Sequence, residues 1–192
     1  MHNTRSLAAI EMERRLIIHV GPHKTASTYI QRMVQKNSKR LEGLNIGIPR
    51  QPVSGTMHSA FAKSMNSQNQ SFWDKELEPL RSKTQIVISS ESFCHKFSTN
   101  KNLDFLLKIS KCHDLRLTFV YFVRDQTDLI TSQYCHDIRR FYRSDSFKDY
   151  LKARLKKDRR NHRRSYNLHK RFKHYLDRQD FDLIFILITK IN

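Results

Sequence analysis

The strongest constraint on this chain is an apolar strand that runs straight into a hydroxyl-rich helix start. Leu16-Ile17-Ile18-His19-Val20 is mostly β-branched and apolar, and Gly21-Pro22 stops it. A run of that kind suits a strand covered on both faces. Lys24, Thr25, Ala26, Ser27 and Thr28 follow at once, and Tyr29, Ile30, Met33 and Val34 then recur at helical spacing. The hydroxyl residues have N-cap character. A helix delivered directly by a strand presents backbone N–H groups without partners and the positive end of a dipole, which suits phosphate. Lys24 adds a mobile cation inside the loop. The stretch reads as a phosphate cradle.

The rest of the chain agrees with an α/β class. Apolar runs at 85–89, 115–123 and 182–188 alternate with segments of helical period at about 73–80, 100–109 and 127–142, and with an apolar stripe at Leu168, Phe172, Tyr175 and Leu176. Such alternation implies a parallel sheet with helices on both faces, a P-loop-type three-layer α/β/α arrangement. The first helix is expected to run to about Leu41, Asn100 to cap the helix that follows it, and Leu129, Ile130, Tyr134, Ile138 and Phe141 to face inward. Residues 45–72, rich in Gly, Pro, Ser, Asn and Gln, read as a loop-rich excursion with a short helix starting near His58. Residues 1–14 read as a flexible lead-in and 15–192 as one domain. In parallel sheets ligands sit at the carboxyl ends of the strands. The cradle, Ser89-Ser90-Glu91-Ser92-Phe93 and Arg124-Asp125 all fall at such ends, with Asp125 read as a cap.

Totals narrow the partners. The chain has 192 residues, enough for one real core, and 36 Lys and Arg against 18 Asp and Glu leave a net charge of +18. Such a field favours anionic partners without choosing among them. Cys94, Cys112 and Cys135 are isolated and the ten histidines are scattered, so no metal-ligand spacing and no disulfide framework can be assembled. No apolar run approaches membrane-spanning length and no secretory leader is recognisable, so a cytoplasmic protein is the expectation.

Spacing decides which cradle this is. The nucleoside-triphosphatase loop is G-x-x-x-x-G-K-[ST]. Aligned on Gly21, Ala26 stands where its second glycine belongs and Ser27 where its lysine belongs. Gly21-Pro22-His23-Lys24-Thr25-Ala26-Ser27-Thr28 instead resembles the phosphosulfate loop of sulfotransferases that use 3′-phosphoadenosine 5′-phosphosulfate (PAPS), in the branch reading G-x-H-K-T-G-[TS]-[TS]. Ala26 replaces the glycine of that pattern and restricts the loop if positive φ is needed there. Val123-Arg124-Asp125-Gln126, followed by Ser132-x-Tyr134, resembles the family's second signature, with Gln126 where proline is usual. Ser89-Ser90-Glu91-x-Phe93 is similar to an equivalent segment of the same branch.

The resemblance covers about residues 15–190 and implies sulfuryl transfer from PAPS to a hydroxyl or amine of a carbohydrate or small metabolite, without a metal. It implies that Lys24 meets the charge on the leaving phosphate. Thr25, Ala26, Ser27 and Thr28 would hold the 5′-phosphate, and Arg124 and Ser132 the 3′-phosphate. The acceptor needs a base, for which Glu91, His23, His58 and His95 are candidates, and Glu91 or His58 would also touch the acceptor. Family members run on past this length, and a later segment completes the grip on the nucleotide, so a chain lacking its C-terminal part is expected.

Two rival readings stay open. A kinase-like P-loop enzyme is disfavoured by the missing Gly-Lys-Ser/Thr order and by a strand ending in Arg-Asp. A non-enzymatic polyanion binder would use the basic stretch Arg139–Lys173, including Arg139, Arg140, Arg143, Lys156, Lys157, Arg159, Arg160, Arg163 and Arg164. Aromatic residues do not interleave with these arginines, so specific nucleic-acid recognition is not expected. The cationic excess does suit an anionic acceptor.

Overall fold

The computed structural model describes residues 13–188 apart from 23, 51–56, 95, 97–98, 161–167, 169–171 and 173–174, with only the backbone of 157–160. His23, His95, most of the lead-in, and Lys157, Arg159, Arg160, Arg163 and Arg164 as side chains lie outside the described residues. Five strands form one parallel sheet: β1 (Arg15–His19), β2 (Ile46–Gly47), β3 (Gln85–Ser89), β4 (Arg116–Arg124) and β5 (Asp182–Ile188), in the order β2-β3-β1-β4-β5. The apolar first strand is thus central. Leu16 and Ile18 stand beside Ile86 and Ile88 of β3 and Leu117 and Phe119 of β4, and all six are at most 1% exposed. Parallel strands buried on both faces need continuous apolar runs, and this is what these three strands carry.

Seven helices are described: α1 (Ser27–Lys36), α2 (Ser38–Gly43), α3 (Ser59–Ser67), α4 (Gln70–Leu77), α5 (Asn100–Cys112), α6 (Gln126–Arg139) and α7 (Phe147–Arg160). They cover both faces of the sheet, completing a three-layer α/β/α arrangement. Side-chain caps set several starts: Asn69 accepts from the Phe72 N–H, and Asp125, as expected, accepts from the Asp128 N–H. Thr99, not Asn100, caps α5, accepting from the Asn102 N–H at 3.3 Å. The first helix does not run unbroken to Leu41. At Asn37 the side-chain amide donates to the Met33 carbonyl at 2.8 Å, and the chain restarts as α2. Ile46-Gly47, within the stretch read as loop, forms a short edge strand on β3.

One helix departs from its expected facing. Leu129, Ile130, Tyr134 and Ile138 of α6 are half-buried, but Phe141 lies beyond the helix end and is 94% exposed. The buried residue of α6 is Asp137. Gln133 and His136 are half-buried like the apolar residues, so α6 packs polar and apolar side chains alike rather than a single apolar stripe.

At the amino ends of the strands, charge ties the sheet together. Asp182 of β5 accepts from Arg15 of β1 at 2.8 Å and from Arg116 of β4 at 2.8 and 3.1 Å. Burial pushes the Asp182 carboxyl up, but the hydrogen bonds and charges of Arg116 and Arg15 outweigh it and hold the acid below its usual range. Hydrogen bonds to charged groups contribute more than neutral ones, so Asp182→Ala should destabilise the fold by about 2 kcal/mol. Urea denaturation checks this; an unchanged midpoint would show that the arginines find water equally good.

Candidate active site at the carboxyl ends of the strands

The cradle forms where the strand ladder runs out. Val20 donates its N–H to the Val120 carbonyl at 3.0 Å, and the chain then turns through Lys24 (φ 69°) and Ala26 (φ 57°), both left-handed. Ala26 therefore sits in the left-handed conformation that favours glycine, at a strain of about 1 kcal/mol. Thr25 is buried and donates its hydroxyl to the Pro22 carbonyl at 2.6 Å, closing the loop on itself. The first helical bond of α1 runs from the Ile30 N–H to the Ala26 carbonyl. Ala26 gives no side-chain cap and no acidic residue stands in the first turn, so the leading N–H groups of α1 remain for an anion.

Three strand ends converge on a cavity of about 540 Å³. From the end of β1 come Lys24, Ala26, Ser27 and Thr28; from the end of β3, Glu91; and from α6 after β4, Gln133, His136 and Asp137, with Tyr142 beyond. The connection out of β1 goes to one side of the sheet and that out of β4 to the other, so the two neighbouring strands bracket the switch point at which such sheets bind ligands. Ser27 donates its hydroxyl to Glu91 Oε2 at 2.8 Å, tying the helix start to the carboxylate. Arg124 at the end of β4 donates to the Lys24 carbonyl at 3.0 Å and lies 4.0 Å from Asp128. It braces the cradle from behind.

The expected residues thus divide. Lys24, Ala26, Ser27, Thr28 and Glu91 share the cavity, Thr25 shapes the loop, and Arg124 touches the cradle backbone. Ser132 is half-buried on α6 and is not a lining residue. His58 is 1% exposed and away from the cavity. Its Nδ1 accepts the Ser89 N–H at 3.0 Å, which leaves Nε2 to donate to the Pro49 carbonyl at 3.1 Å. Gln133, His136, Asp137 and Tyr142 were not anticipated. Their signal is polar residues spaced i, i+3, i+4 on a helix launched from a strand end. Asp137 accepts from Gln133 at 2.7 Å and faces Arg154 of α7 at 3.5 Å.

Beneath the cradle lies a residue with no obvious place in the pattern. His19, the last residue of β1, is 4% exposed, and its Nδ1 is 2.8 Å from Ser89 Oγ. Its Nε2 has no hydrogen-bond partner among the described residues, and a Cβ on Gly21 would approach that nitrogen to 2.6 Å. Gly21 is thus required by close approach rather than by its backbone angles. No group of three or more His, Cys, Asp or Glu that could hold a metal ion occurs among the described residues, and no described helix is long and apolar enough to cross a membrane. A scan against protein-family models and a search of curated proteins both find no match.

The two buried histidines make stability depend on pH. Burial lowers His19 from 6.5 to about 4, against the opposing pull of the Glu91 charge. His58 is lowered as well, by burial, against its bond to Pro49. The unfolded chain therefore takes up protons that the folded one refuses. The His19 contribution is fully present above 6.5 and is lost as pH falls from there toward about 4, by up to about 1.4 kcal/mol per pH unit, and His58 acts in the same direction. Denaturation midpoints followed through that window should fall steeply; a flat profile would mean that neither ring stays neutral in the fold.

Proposed function

We propose that the cavity is the transfer site of a PAPS-dependent sulfotransferase, moving a sulfuryl group to a hydroxyl or amine of a carbohydrate or small metabolite. The observation that carries this reading is the meeting of Lys24, Ser27, Thr28 and Glu91 at the open N-terminus of α1. A dianionic phosphate fits this end of the cavity by its chemistry: backbone donors, two hydroxyls and a cation converge there. The co-substrate supplies the activated sulfur. The protein's own residues do the rest.

Glu91 takes the proton that the acceptor hydroxyl loses as its oxygen bonds to sulfur. Lys24 and the α1 N–H groups meet the charge that stays on the phosphate oxygen as the old sulfur–oxygen bond breaks. Ser27 holds the Glu91 carboxylate toward the cradle, and Arg124 fixes the loop backbone that carries Lys24. His23 remains a candidate for the same chemistry from its place in the motif. No step needs the spacing of a magnesium-binding triphosphatase loop, which this chain lacks.

Calorimetric binding of 3′-phosphoadenosine 5′-phosphate, without magnesium and against ATP, tests the reading. Loss of one charge-assisted contact should weaken binding by about 10- to 100-fold in Lys24→Ala. Arg124→Ala should weaken it too. Equal affinity for ATP, or indifference to both substitutions, would remove the sulfotransferase reading. Salt-sensitive binding of any polyanion that ignores Lys24→Ala would instead favour a binder working through its basic surface.

A further inference from the structure

The end of α6 carries strain that the fold itself does not use. Phe141 has φ 56°, and its N–H donates to the Ile138 carbonyl at 2.9 Å. The next N–H, that of Tyr142, donates to the Asp137 carbonyl at 2.9 Å. This pair of bonds is a Schellman ending, whose left-handed position is ordinarily glycine. A bulky residue there is strained, and ordinarily burial of its side chain offsets the cost. Phe141 is 94% exposed, so no burial of its ring offsets the cost.

The ending also aims its neighbour. In such motifs the residue after the left-handed position packs back on the last turn of the helix, usually on an apolar side chain. Here that turn carries Asp137 and His136, both in the cavity wall. Tyr142 lies edge-on to His136, with ring centres 6.5 Å apart, lines the cavity, and is still 71% exposed. Two consecutive aromatic residues thus stay in water, Tyr142 on the polar wall of the cavity and Phe141 next to it in the chain.

We propose that Phe141 and Tyr142 form a platform for an oligosaccharide acceptor, one sugar ring stacking on Tyr142 at the mouth and the adjoining part of the chain on Phe141. The inference rests on the sulfuryl-transfer reading and narrows its acceptor. Sugar rings offer apolar C–H faces for aromatic side chains and hydroxyl edges for hydrogen bonds. The edges match Glu91, Gln133, His136 and Asp137 within the wall. A planar phenol would stack on Tyr142 equally well but offer that polar wall a single hydroxyl, where a sugar ring offers several. A lone small metabolite would have no use for a second ring outside the cavity.

Phe141→Gly separates this role from a structural one, because it should raise stability while lowering acceptor affinity. With the full chain, melting temperature, binding of 3′-phosphoadenosine 5′-phosphate, and binding of hexasaccharides are measured in parallel. The saccharide panel holds a neutral N-acetylglucosamine oligomer and a glucuronate-containing one, with 2-naphthol as the planar aromatic control. Phe141→Gly should melt about 2 °C higher, keep nucleotide affinity within about twofold, and bind a hexasaccharide about 5- to 10-fold more weakly. Tyr142→Ala should lose at least as much saccharide affinity. A lower melting temperature in Phe141→Gly, unchanged saccharide affinity in both variants, or a wild-type chain that binds 2-naphthol and neither hexasaccharide would overturn the platform. Saccharide binding that falls in both variants, in a chain that does not bind the nucleotide, would uphold the platform and overturn the transfer reading instead.

Discussion

Everything around the cavity depends on one crossing, the point at which β1 stops exchanging ladder bonds and becomes a helix start. Up to Val20 each backbone N–H has a partner in the sheet. Six residues later the chain enters α1 with leading N–H groups that have none within the helix. Two left-handed residues, the Thr25 hydroxyl on the Pro22 carbonyl, and the Arg124 guanidinium on the Lys24 carbonyl hold that short passage. The passage is mounted on β1, the central strand of the sheet, whose Leu16 and Ile18 are fully buried. Strained backbone persists where the surroundings over-determine it, and this loop is braced from both sides.

Charge is distributed accordingly. At the amino ends of the strands, Asp182 collects Arg15 and Arg116 and binds three strands into one unit. At the carboxyl ends, Glu91 and Asp137 stand in a wall that also carries Lys24 and His136. Burial lowers both His19 and His58, outweighing the Glu91 charge at the first and the bond to Pro49 at the second. The charge in the cavity wall therefore comes from Lys24 and the carboxylates, with the α1 dipole beside them.

Much of this was legible in the sequence, and the reasons are local. Continuous β-branched runs identify buried parallel strands, so β1, β3 and β4 fall where their residues say. The order of Lys24 against Ser27 departs from the triphosphatase pattern, a difference of sequence alone. Glu91 could be placed because a serine-rich strand end leads directly into it. What was not legible depended on distant packing. Asn37 splits the first helix through its own amide, a bond no periodicity reveals. His58 looked like a loop histidine and is instead a buried link between Ser89 and Pro49. The inner side of α6 was read from its aliphatic residues, whereas the cavity recruits its polar ones. Phe141 was read as core because an aromatic at helical spacing usually is; the helix ends two residues earlier.

The most direct test is a crystal structure of the chain soaked with 3′-phosphoadenosine 5′-phosphate. The account predicts the 5′-phosphate on the N–H groups of Ser27 and Thr28 within reach of the Lys24 ammonium, with the open side of the phosphate turned toward Glu91. A nucleotide found elsewhere on the basic surface, with the cradle empty and unchanged, would contradict it.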